Sequence, residues 1–147
     1  MITEAEIDKI LAALEAETLE NNFATEENEY WNYLNSESFR GLSEEEHQLL
    51  FFVNSVIYLV VQAHPQYTLP YDIEALQEAE EACWALREEL GNWEKTKDEL
   101  FKDYEQEDLL AFVEDLLAED EEESLSDIGK EVIFITSKCY MDLIERA

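Results

Sequence analysis

One stretch limits what this chain can become. Twenty residues, Glu44 to Ala63, contain no glycine, no proline and no turn signal. From Leu49 to Ala63 nearly every position is apolar. Val53, Val56, Ile57, Val60 and Val61 are β-branched and suit a sheet. Length decides against that, because strands seldom run so far unbroken. Ser43, three residues ahead of Glu46, supplies a capping box: each side chain satisfies an orphan backbone donor of the first turn. Pro65 stops the helix, since the residue before a proline avoids the helical region. A helix apolar all round is normally enclosed by others. Asn54 and Ser55 interrupt the apolar run, which is too short and too polar to span a bilayer. The expectation is a bundle built around residues 44–63.

The flanking segments supply the enclosing helices. Thr3 and Glu6 form another capping box, followed by Ile7, Ile10, Leu11 and Leu14 at helical spacing. A short helix is expected from Glu26 to Leu34, capped by Thr25. Asp72 is positioned to cap a helix reaching Leu90, with Gly91 after it at a position that tolerates positive φ. Trp93 to Tyr104 carries a possible box at Thr96 and Glu99, and Gln106 to Leu117 carries a broad apolar stripe. These two segments read as two helices or one bent helix. Five consecutive acids, Glu119 to Glu123, oppose the dipole at a helix C-terminus and mark its stop. Ser126 then caps a last helix, with Ile128, Val132, Ile135, Cys139, Tyr140 and Leu143 facing inward. The fold class is all-α: a compact bundle of five to six helices in a single domain, residues 1–147.

The charge bounds the partners. The chain has 38 Asp and Glu against 9 Lys and Arg, a net charge of -29. Such a field excludes nucleic-acid binding, which needs clustered cations, and docking on anionic membranes. Disorder is excluded by a hydrophobic fraction of 46% and an aromatic fraction of 12%. Glutamate makes up 29 of the 38 acids, so the surplus sits in a residue that favours helices. Cys83 and Cys139 match no metal or redox spacing and read as two buried thiols, in keeping with a soluble cytoplasmic protein. The N-terminus lacks the basic and apolar regions of a signal peptide.

Motifs for chemistry are missing. Glu44 and His47 stand at the Glu-x-x-His spacing of bundle metal sites, but a second such motif is absent because Val61 stands three residues before His64. No serine or cysteine has the setting of a nucleophile, and three glycines do not make a phosphate-binding loop. The expectation is therefore no catalytic residue, no cofactor and no metal.

Aromatic residues set among acids are the better signal, because buried rings grip an interface while charge steers the approach. The first candidates are Tyr30, Trp31 and Tyr33 with Glu26, Glu27 and Glu29; the second is Trp93. The sequence thus points to a small acidic module that binds a protein with a basic surface, as an inhibitor, immunity protein, antitoxin-like partner or adaptor. A homo-oligomer is compatible with it. One alternative is a nucleic-acid mimic binding a DNA-processing protein through Glu78, Glu81, Glu88, Glu89, Glu114, Asp115 and Glu119. The other is a metal-dependent helical-bundle enzyme using Glu44 and His47.

Overall fold

The computed structural model describes residues 2–15, 33, 39, 41–68, 72–118 and 125–146. Six helices are formed among them: α1 (Glu4–Glu15), α2 (Glu44–Ala63), α3 (Ile73–Leu90), α4 (Trp93–Phe101), α5 (Glu107–Ala118) and α6 (Asp127–Asp142). They make the expected all-α bundle. The expected helix from Glu26 to Leu34 lies outside the described residues.

The helix ends follow the chemistry of their caps. Ser43 Oγ accepts from Glu46 N, and the Glu46 carboxylate accepts from Ser43 N, closing the box at the start of α2. Thr3 and Glu6 do the same for α1. Asp72 caps α3, which ends at Gly91 with φ 65°. α4 differs from the expected pattern at its start. Its cap is Asn92, whose side chain accepts from Lys95 N. Thr96, expected to open a box, is already inside the helix, and its hydroxyl donates back to Asn92 O. α4 and α5 are two helices: the chain turns between them, with Asp103 at φ 54°.

α2 lies at the centre as expected, and α6 shares that place. α6 packs against α2, α3 and α5, while α1 packs on α2 and α5, and α4 packs on α3. Ile133, Phe134, Ile135, Cys139, Tyr140 and Met141 of α6 are all buried. Burying side chains of this size contributes about 1.5–3 kcal/mol each. The buried amide of Asn54 is paired, as burial of a polar group demands. Asn54 Nδ2 donates to Leu50 O at 2.8 Å and to Ser137 Oγ at 3.3 Å, linking α2 to α6.

One expectation for α6 is corrected. Ile128 does not face inward but is 58% exposed, on the outer side of the first turn of α6, whose inner side carries buried Gly129. Arg146 follows the helix. It lies in a two-residue strand, Glu145–Arg146 (β2), paired antiparallel with Tyr67–Thr68 (β1).

Candidate interaction face

The outer side of α3 is the strongest candidate surface. Its exposed positions include Glu74, Glu78, Glu81, Ala85 and Glu88, spaced by three or four residues. That spacing sets them in one row along the helix. At 1.5 Å per residue the row is about 21 Å long. Glu89 flanks its end. Among the described residues none of these carboxylates has an ion-pair partner. The one cation of α3, Arg87, points away from the row and binds Glu131 of α6 at 2.9 Å.

A cleft of about 510 Å³ lies on the opposite side of α3, where Arg87 lines it. Trp93, Phe134 and Leu117 give it an apolar lining, and Arg87, Lys97 and Lys130 bring cations to it. Glu94, Glu114, Asp127 and Glu131 bring carboxylates. Trp93 opens α4, one residue past the Asn92 cap, so its direction is fixed by the helix start. Its ring stands edge-on to buried Phe134, with centroids 5.3 Å apart. Lys97 Nζ lies 3.2 Å from Glu94 and 3.4 Å from Glu114, joining α4 to α5. Burial alone would lower the Lys97 pKa; the hydrogen bond and charge of Glu94, with those of Glu114, outweigh it and leave the pKa raised. The cleft therefore offers a half-buried indole whose surrounding charges are already mostly matched.

The residues named from the sequence separate on this structure. Trp93 lines the cleft and is half-buried. Tyr33 is core: its ring is 9% exposed, edge-on to Phe39 at 5.3 Å, and its hydroxyl donates to Glu80. Burial, aided by that contact, pushes the Tyr33 phenol well above its usual range. It offers a partner little aromatic surface. Tyr30, Trp31, Glu26, Glu27 and Glu29 lie outside the described residues. Glu44 is exposed, while the His47 ring rests on Phe51 at 5.1 Å. Among the described residues, no three His, Cys, Asp or Glu side chains converge as metal ligands.

The sequence reading missed two groupings. The glutamate row was recognised only in part, as Glu78, Glu81, Glu88 and Glu89; including Glu74 required knowing which side of α3 faces outward. The cleft joins residues from α3, α4, α5 and α6, and only the Glu94 to Lys97 pair within it has a spacing readable along the chain.

No protein-family model matches the chain, and neither a curated protein nor a solved structure matches it significantly. No helix among the described residues is long and apolar enough to cross a membrane.

Proposed function

We propose that this chain is a protein-binding module that docks the α3 face against a basic surface of its partner. The observation that carries the reading is the row of exposed glutamates on α3, which have no ion-pair partner among the described residues; half-buried Trp93 lines the cleft on the Arg87 side of the same helix. Rim charges of this kind raise the rate of encounter, while a ring held in a cleft slows dissociation. An inhibitor, immunity, antitoxin-like or adaptor role would use the surface in the same way. The nucleic-acid mimic fits less well. Over about 21 Å a single DNA strand presents about six phosphates at 3.4 Å spacing. The α3 row presents four carboxylates, Glu74, Glu78, Glu81 and Glu88.

The test begins with affinity capture from native extract at low and high salt, followed by binding kinetics on the purified partner. Reversing Glu78, Glu81 and Glu88 to Lys should slow association, and Trp93→Ala should speed dissociation, with the fold of each variant checked first. A partner that binds the triple reversal as fast as the parent at low salt would refute the α3 face.

A further inference from the structure

The two cysteines, 56 positions apart in sequence, meet across the core. Cys83 on α3 and Cys139 on α6 place their sulfurs 3.6 Å apart, and both are free thiols. Cys83 retains 5% exposure and Cys139 none. A disulfide requires about 2.05 Å between sulfurs, so each sulfur must move only about 0.8 Å, a turn of roughly 30° about its Cα–Cβ bond. The surroundings distinguish the two thiols. Lys138, beside Cys139 in sequence, bonds Asp142 at 2.8 Å, and Tyr104 donates to the same carboxylate. The hydrogen bond with Cys139 lowers the Cys83 pKa against the effect of burial, with help from the Lys138 charge. The same sulfur contact, together with burial, pushes the Cys139 thiol far up.

We propose that Cys83 and Cys139 are a redox-active dithiol, closed by a small-molecule disulfide into a cross-link between α3 and α6. Cys83, the thiol that retains exposure, attacks one sulfur of the small disulfide. A mixed disulfide forms at Cys83 and one small thiolate leaves, taking up the proton that Cys83 lost. Cys139 then gives up its proton and attacks the Cys83 sulfur, displacing the second small thiol. The protein loses two protons and two electrons, and the small disulfide gains them. This inference does not depend on the interaction face.

The test treats the folded full-length chain with oxidised glutathione in the absence of denaturant. Intact mass should fall by two hydrogens, with both thiols lost to alkylation. Tm should rise by about 10 °C or more, because the bond constrains a long loop of the unfolded chain, and reductant should reverse the rise. Cys139→Ser should accumulate the glutathione adduct at Cys83, whereas Cys83→Ser should keep a free thiol at Cys139. The proposal is overturned if the wild type ends as stable mixed adducts or cross-linked dimers. It is also overturned if it oxidises only in urea, or if the adduct accumulates on Cys139 instead. The wild-type readings need no substitution, so they decide the matter even where a serine variant fails to fold.

Discussion

Gly129→Ala should destabilise this protein, and removing Glu46 first should relieve most of that cost. Gly129 lies in the first turn of α6, where alanine would normally be the better helix former by about 1 kcal/mol. A Cβ there would lie 1.6 Å from Glu46 Oε2 and 2.4 Å from Glu46 Cδ. The carboxylate cannot move aside freely because it serves two helix starts. It accepts from Ser43 N at 2.9 Å, from Ser126 N at 3.0 Å and from Ser126 Oγ at 2.9 Å. Losing these charge-assisted caps with Glu46→Ala should cost about 2–4 kcal/mol. Gly129→Ala expels the same carboxylate but gains the helix propensity, so it should cost about 1–3 kcal/mol. In the Glu46→Ala background the carboxylate clash is absent and only Ser126 Oγ, 2.9 Å from the new Cβ, must give, so Gly129→Ala should lie within about 1 kcal/mol of neutral. Urea unfolding of the four proteins, at unchanged m, gives the coupling directly. Glu45→Ala, exposed in the same turn, is the control and should stay within about 0.5 kcal/mol. If the two substitutions add within about 0.5 kcal/mol, the shared cap does not exist.

The same carboxylate sets an acid limit. Burial would raise the Glu46 pKa, but the Ser43 and Ser126 hydrogen bonds together lower it below 4.5. Its folded-state pKa is thus depressed, so its contribution is full above 4.5 and lost as pH falls through the folded value. Unfolding free energy should therefore rise as pH falls to about 5, where repulsion among the acids eases, and then drop below that; a steady rise to pH 3 would contradict this. Val56→Ala and Ile57→Ala, at fully buried positions, should each cost about 1–4 kcal/mol in urea unfolding, and Leu59→Ala less because Leu59 is half-buried. Ile128→Ala should lie within about 0.5 kcal/mol of the parent by the same measurement, since the side chain is exposed. Tm should rise between low salt and 0.5 M sodium chloride, roughly one Debye length falling below 5 Å.

The helices were legible where their ends are chemical. Ser43, Asp72, Gly91 and Ser126 each stand where the structure uses them, because a cap is a local interaction between residues close in sequence. Asn92 was missed because Thr96 and Glu99 offered a competing box with the same spacing. α6 was read as one apolar stripe, yet it is buried nearly all round. Thr136, Ser137 and Glu131 look like solvent positions until Asn54 and Arg87 from other helices satisfy Ser137 and Glu131. The β1–β2 pair spans two residues on each side and has no periodicity to detect. Both cysteines were expected to be buried, but their meeting depends on the rotation of α3 against α6. The same holds for the candidate face: that α3 is acidic is written in its sequence, whereas which of its acids lack partners is a property of the packing.

That packing explains how so acidic a chain keeps its field. Cations are scarce, and three of them are half-buried and already engaged. Arg87 binds Glu131 across α3 and α6, Lys97 binds Glu114 across α4 and α5, and Lys138 binds Asp142 within α6. Each such pair is worth little in free energy when exposed. Their positions matter more than their strength, because they draw cations inward and leave the α3 row uncompensated. Unbalanced carboxylates repel one another and oppose the compact state, and the same excess attracts a basic partner. Salt weakens both effects at once. The fold should therefore be strengthened, and association slowed, over one range of ionic strength. A partner whose association rate stays constant over the range that raises Tm would mean that charge does not guide it, and the α3 face would lose its role.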